Sequence, residues 1–409
     1  MMDINKKRLA IVGGPKSVEK IFPWPIYDET DVQAVASVVR SGQWGNPDCA
    51  DEVARFEQEF AAYCDSKYAV TCVNGSVSLR LALIAAGLRP GDEVIVPPYT
   101  FIATASVVLE INCVPVFVDI DPRTYNLDPE RIEAVITEKT RAIIPVHFAG
   151  LACDMAAILD IAKRYNLRVI EDAAHAHGAE YKGRKLGSIG DAGSFSFQSS
   201  KNLTSGEGGI VITNDDALYE TMNSLRNVGR LPSGQWYDHF NPGCNYRITQ
   251  LQAVLLSEQL KRLDEQTIIR NENGLYLDSL LADVDGITPL SRGAVAVRHC
   301  YHLYIVKYDK TKFGQLPKNE FIAMLLAEGV PCSAGYPHPL YKQPVFQQKN
   351  FMCYAIPESV DYTQVYCPEA EQACLHEAVW IFQQAMLGTR ADMESFVRAI
   401  QKIQMAVSG

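Results

Sequence analysis

Between Ala69 and Thr213 the chain alternates short apolar runs with longer stretches whose apolar residues recur at helical spacing. The runs are Ala69–Val73, Glu93–Val96, Val114–Val118, Ala142–Val146 and Arg168–Ile170. The helical stretches between them fall at about 77–87, 102–111, 129–137 and 154–165. Continuous apolar runs imply strands covered on both faces, and strand–helix alternation implies a mostly parallel sheet. Gly193–Phe197 and Gly209–Thr213 follow with no full helix between them. One of these two is expected to run antiparallel or to pair elsewhere in the sheet.

On the N-terminal side, residues 1–27 read as irregular. A helix is predicted from Glu29, with Val32, Val35 and Val39 on one face and Ser41-Gly42 as its stop. A second covers 51–63, with Val53, Phe56 and Phe60 at helical spacing. Past Asp215 the pattern predicts a helix over 218–226 and another carrying Ile248, Leu251, Val254 and Leu255 through Leu263. The character then changes. A strand is expected at Tyr301–Lys307, a helix near 318–328, a Pro- and Tyr-rich loop over Pro331–Pro344, and helices over 370–387 and 391–406. Residues 1–270 therefore read as an N-terminal segment with a large α/β domain, and 271–409 as a smaller α+β domain. A length of 409 residues fits two to three domains at roughly 150 residues each.

Composition narrows the partners. Hydrophobic content of 47% is ordinary for a globular chain, and the formal charge is -10 with no Lys/Arg cluster. That argues against nucleic acid or an anionic membrane as partner. Eleven cysteines lie scattered from Cys49 to Cys374 without a Cys-x-x-Cys pair. In a chain this long they read as reduced thiols in a reducing compartment. The apolar run near the N-terminus, Leu9–Val12, is too short for a signal peptide. No run approaches the ~20 apolar residues of a membrane span. A cytoplasmic protein is expected.

In open α/β sheets ligands bind beyond the carboxyl ends of the strands, so those ends are the places to look for chemistry. After the first strand, Asn74-Gly75-Ser76 opens a helix. Free N–H groups and a serine hydroxyl there would seat a phosphate, or Ser76 is a plain helix cap. Pro98-Tyr99-Thr100-Phe101 follows the second strand and brings aromatic rings that stack on a flat ligand or fill the core. His147 ends the fourth strand, as a cleft residue or a satisfied core histidine. The fifth ends Glu171-Asp172-Ala173-Ala174-His175-Ala176-His177. An aspartate there can hold a ring nitrogen protonated. A metal site at Asp172, His175 and His177 is disfavoured, because no cysteine or second carboxylate stands at a ligand spacing. After Ser194-Phe195-Ser196-Phe197, Lys201 sits among small uncharged residues. Either it reaches water or it is held for Schiff-base chemistry. A phosphate seat, a stacking aromatic, a ring-facing carboxylate and such a lysine together suit pyridoxal 5'-phosphate.

These motifs, in this order, together with Gly206-Glu207-Gly208-Gly209 and Gly243-Cys244-Asn245-Tyr246-Arg247, resemble the DegT/StrS family of pyridoxal-phosphate-dependent aminotransferases. The similarity runs from about residue 22 to the C-terminus. It implies an α/β protein of fold type I, like aspartate aminotransferase, with a mostly parallel central sheet, helices on both faces and a smaller C-terminal domain. By the resemblance Lys201 is the lysine that carries the cofactor, and Asp172 is the partner of the ring nitrogen. Gly75, Ser76 and Ser196 hold the phosphate, Phe101 stacks on the ring, and Asn245 reaches the phosphate of a neighbouring subunit. A homodimer with shared active sites follows. His175 stands where many members have Gln, and Ser76 where many have Thr. The resemblance is nearest to cyclitol aminotransferases of the L-glutamine:scyllo-inosose type and to 3-amino-5-hydroxybenzoate synthases. It implies transfer of an amino group from L-glutamine or L-glutamate to a keto-cyclitol or keto-sugar. The alternatives are a dehydrating, aromatising lyase and a non-catalytic binding protein. Relatives that use the fold for sugar dehydration carry His in place of the lysine, and Lys201 argues against that group. His147, Tyr301, His302, Tyr336 and His338 are candidate substrate-facing residues. Arg226, Arg230 and Arg247 are candidates to grip the donor's α-carboxylate.

Overall fold

The structure is a computed structural model describing residues 9–45, 51–293 and 297–407; Cys49 lies outside them. In chain order the strands are β1 (Tyr68–Cys72), β2 (Glu93–Val96), β3 (Val114–Phe117), β4 (Thr140–Ile143) and β5 (Arg168–Asp172). A short ribbon, β6 (Glu180–Tyr181) and β7 (Arg184–Lys185), precedes β8 (Ala192–Ser196) and β9 (Gly209–Thr213). Seven strands form the central sheet in the order β1-β9-β8-β5-β4-β2-β3. Pairings from β3 through β8 are parallel, while β9 runs antiparallel to both β1 and β8. The missing helix between the last two strands is the cause, since a parallel return needs a crossover.

The alternation of side chains explains why both faces are covered. Val94, Val96, Ile170 and Val211 enter one core with the helices α3 (Gly75–Ala85) and α4 (Ala103–Glu110). Ile95, Ile143, Val169 and Ile212 enter a second core on the opposite face with Phe56, Phe60 and Ile158. The strand ends beyond β1, β2, β5 and β8 are thus left as one rim.

Helix Gln250–Leu281 runs 32 residues, well past Leu263, and spans the expected junction at residue 270. Beyond it, β10 (Ile287–Pro289), β12 (Leu303–Tyr308), β14 (Ala378–Phe382) and β13 (Cys332–Ser333) form a four-stranded antiparallel sheet. β11 (Val297–Arg298) joins the ribbon of β6 and β7. The sheet shares a third core with Leu277, Phe321, Phe396 and Ile400.

Three expectations need correction. The stretch 370–387 is not one helix: Pro368–Gln372 is helical, Ala378–Phe382 is strand β14, and Gln383–Leu387 is a 3-10 turn. The β-branched and aromatic run Ala-Val-Trp-Ile-Phe suits a pleated surface, and β12 and β13 supply partners on both sides. Residues 129–137 form two 3-10 turns, Pro129–Arg131 and Glu133–Val135. Ile132 is their one fully buried apolar side chain, too little to stabilise a regular helix. Helix Glu29–Ser41 buries Asp31 and Val38 and leaves Val32 and Val39 exposed. Its contact face is polar: Asp31 takes hydrogen bonds from Arg262 at 2.6 Å and Gln259 at 3.0 Å.

Candidate active site

The rim of strand ends encloses a cavity of about 840 Å³. Of the residues singled out from the sequence, Gly75, Ser76, Phe101, Asp172, His175, Ser196, Lys201, His302 and Tyr336 line it. They come from the ends of four strands of the central sheet and from two loops beside the second sheet.

The seat at the start of α3 follows from local sequence. Asn74 caps the helix, its side chain accepting from the Val77 N–H at 2.9 Å. The N–H groups of Gly75 and Ser76 are in the first turn, where a helix offers them no acceptor. A Cβ on Gly75 would lie 2.7 Å from Ser196 Cβ, so only glycine lets helix and strand end close up here. The Ser76 and Ser196 hydroxyls face the same cavity. Free N–H groups, helix dipole and two hydroxyls make an anion seat.

Glu171 and Asp172 point opposite ways, as neighbours in a strand must. Glu171 turns into the core. It accepts from the N–H groups of Gly187, Ile189 and Gly190 at 2.6–2.7 Å and pairs with His147 Nε2 at 2.8 Å. Burial pushes its carboxyl up, but the His147 contact and these N–H groups outweigh it and hold it below the usual value. His147 is fully buried with its other nitrogen accepting from Cys153 N–H, so it is a core histidine and not a cleft residue.

Asp172 turns into the cavity. Thr104 Oγ1 donates to it at 2.8 Å and the Ala174 N–H at 3.2 Å. Burial raises its pKa; those hydrogen bonds and the Lys201 charge recover part of the shift. A cation placed against it would favour the carboxylate form. Burial lowers the Lys201 ammonium to about 8, with Asp172 pulling the other way. At pH 7 about a tenth of Lys201 is then free amine, far more than for an ordinary lysine.

His175 Nδ1 accepts from the Ala149 N–H at 3.3 Å, which leaves Nε2 as the donor, and its ring lies 4.1 Å from that of His302. Burial, aided by the Lys201 charge, keeps it neutral. His177 does not share the site: it packs on Phe195 and Phe197, and burial lowers it to about 3. Phe101 lines the cavity yet is 59% exposed. Tyr336 meets Trp380 edge to face at 4.8 Å on the cavity wall.

Several candidates lie elsewhere. Tyr301 stacks on His299 at 3.7 Å and bonds Arg292. His338 is off the cavity wall. Arg226 is engaged by Glu57 and Thr71, Arg247 by Asn227, and Arg230 lies over Trp236. None of the three arginines lines the cavity of this chain, and Asn245 is exposed outside it. Thr104, Trp24 and Gln383 line the cavity but were not anticipated. Thr104 had a signal, a hydroxyl in the first turn of an otherwise apolar helix. Gln383 was hidden by the misread strand before it.

A seat for a phosphate, a buried carboxylate and a depressed lysine around a cavity of this size fit pyridoxal phosphate. Fold and cavity together define a pyridoxal-phosphate-dependent enzyme of fold type I. The chain belongs to the DegT/DnrJ/EryC1/StrS aminotransferase family, whose model matches residues 25–397. It is 36% identical to a putative L-glutamine:3-amino-2,3-dideoxy-scyllo-inosose aminotransferase of Streptoalloteichus tenebrarius, over 98% of both chains. It is 42% identical to the GDP-perosamine synthase of Caulobacter vibrioides, over 72% of this chain and 78% of that one. Among solved structures, 3-amino-5-hydroxybenzoic acid synthase superposes with a TM-score of 0.84 at 32% identity, covering 96% of this chain and 99% of that one.

The Gly75–Ser196 approach gives a direct test. Gly75→Ala should raise the dissociation constant for pyridoxal phosphate at least tenfold, read from cofactor absorbance in a titration. Unchanged binding would contradict the seat.

Proposed function

We propose that the chain transfers the amino group of L-glutamine or L-glutamate to a keto-cyclitol or keto-sugar, with pyridoxal phosphate attached through Lys201. The observation that carries this is that Lys201 and Asp172 face one cavity large enough for cofactor and substrate together. The names of the relatives support the substrate class.

When bound, the cofactor supplies a sink for the electron pair left behind as a substrate C–H proton departs. The chain's own residues do the rest. Gly75, Ser76 and Ser196 anchor the phosphate. Asp172, steadied by Thr104, keeps the ring nitrogen protonated. Lys201 would hold the cofactor and, as a free amine, would take the substrate proton and return it as an ammonium. An amine of pKa about 8 is matched to that work near neutral pH. His175 contributes an Nε2–H donor at the cavity wall. Phe101 lines the same cavity and would stack on the ring.

The second reading is a lyase of the 3-amino-5-hydroxybenzoate type. The fold match to that synthase favours it. The cavity residues serve both reactions, because both begin with proton removal beside the bound nitrogen.

Assembly as a homodimer belongs to the same proposal. Asn245 lies exposed and away from its own cavity, where a partner's site would meet it. Val32, Val39, Trp44, Trp236 and Phe240 are exposed as well. We further place the division between a large and a small domain near residue 270, and the protein in the cytoplasm. No described helix is long and apolar enough to cross a membrane. Eight of the ten described cysteines are buried free thiols.

Three outcomes check this reading. Purified protein given pyridoxal phosphate, L-glutamine and scyllo-inosose should yield an amino-cyclitol by mass spectrometry. An ultraviolet-absorbing aromatic product from an aminated cyclohexenone, with no amino-cyclitol, would favour the lyase instead. Recapture of pyridoxal phosphate by the cofactor-free chain should accelerate with a midpoint near pH 8, the pH at which Lys201 loses its proton. In Asp172→Asn that midpoint should fall, because the anion that stabilises the ammonium is gone; a rise would refute the pairing. Finally, Lys201→Ala and Asn245→Asp chains, each inactive alone, should regain activity on mixing if the sites are shared. No recovery under conditions of subunit exchange would count against shared sites.

A further inference from the structure

Arg270 is the largest fully buried side chain among the described residues, and no carboxylate meets it. Other shielded arginines have one: Arg262 has Asp31, Arg226 has Glu57, and Arg298 has Asp264 and Glu180. Arg270 Nη2 donates to Gln383 Oε1 at 2.5 Å. Its Nε and Nη1 have no acceptor among the described residues, and its guanidinium lies 5.4 Å from the Trp24 ring centroid. Burial lowers its pKa to about 9, and the nearest titratable group credited with opposing that is the Cys300 thiol. Burial pushes that thiol up to about 12, so it is neutral and compensates little. A buried cation left in this state is costly.

Gln383 is where that cation meets the cavity. Arginine has only donors, so it fixes the amide with its oxygen toward the guanidinium, and Nε2 is the end left over. Gln383 is 2% exposed and lines the cavity with Trp24, Lys201 and His302. Its Nε2 has no acceptor among the described residues. The structure therefore leaves an oriented N–H donor, polarised by a buried cation beside it, at the cavity wall with no acceptor among the described residues.

An anion with lone pairs in a plane is the acceptor that answers both deficits. The phosphate has its own seat at Gly75, Ser76 and Ser196. A neutral keto-cyclitol brings no anion, whereas an amino acid brings an α-carboxylate. We infer that Gln383, held and polarised by Arg270, recognises the α-carboxylate of the amino donor. Gln383 is the contact residue and Arg270 a positioning residue. This assignment rests on the aminotransferase reading. It also explains how the cavity can accept a carboxylate although Arg226, Arg230 and Arg247 lie elsewhere.

The test is the donor half-reaction alone, with the pyridoxal-phosphate-loaded enzyme mixed with L-glutamine and the loss of cofactor absorbance followed. L-Glutaminamide, which differs from L-glutamine only by a carboxamide in place of the α-carboxylate, is the control donor. Wild-type enzyme should favour the carboxylate. Gln383→Leu should need roughly 10- to 100-fold more L-glutamine while binding cofactor normally, and should lose most of the preference over the carboxamide. Gln383→Glu gives Arg270 a carboxylate and so guards against misfolding. It should bind cofactor, reject L-glutamine and favour the carboxamide donor. Arg270→Lys should recover part of the discrimination that Arg270→Met loses. If both Gln383 variants keep the wild-type concentration dependence and preference, the inference fails while the aminotransferase reading stands. If wild-type enzyme exchanges its cofactor with no amino donor, both fall.

Discussion

A carboxylate and an amine, both taken out of water and facing one cavity, set the terms for this molecule. Burial raises Asp172 and lowers Lys201, and each partly offsets the shift of the other. Neither group is comfortable there without further partners. In the proposed reading a cationic ring nitrogen would pair with the first, and covalent attachment would take up the amine of the second. In the proposed reading, the chain tolerates two poorly solvated groups because the cofactor completes both of them.

The scaffold makes that placement possible through the period of a strand. Glu171 and Asp172 are adjacent, yet one turns into the core and the other into the cavity. Glu171 ties the turn at Gly187–Gly190 and His147 together beneath the sheet. That holds the end of β5 still, so that Asp172 meets Thr104 on the other face. A one-residue slip would exchange the two carboxylates. The same economy appears at Gly75, where the missing side chain brings a helix N-terminus against Ser196.

Much of this was legible from residues alone, and the reason is locality. The seven strands of the main sheet are short apolar runs bounded by turn residues, and candidate residues follow five of them. What was not legible depended on distant partners. Val32 and Val39 have helical spacing but face outward, because Asp31 found Arg262 more than two hundred residues away. Ala378–Phe382 reads equally well as helix until β12 and β13 pair with it. That error concealed Gln383, and with it the pairing with Arg270. His147 stood open between cleft and core for a similar reason: the position of a strand end does not reveal which face the side chain takes.

The central claim is that Lys201 is the amine which carries the cofactor. Lys318 is the natural competitor, since burial lowers its pKa too, but it is tied to the Cys374 carbonyl at 2.6 Å and lies off the cavity. Borohydride reduction of the cofactor-loaded protein, followed by peptide mass mapping, decides between them. The account predicts a single pyridoxyl group on the peptide containing Lys201. A label on Lys318 or any other lysine, or no label at all, would contradict it.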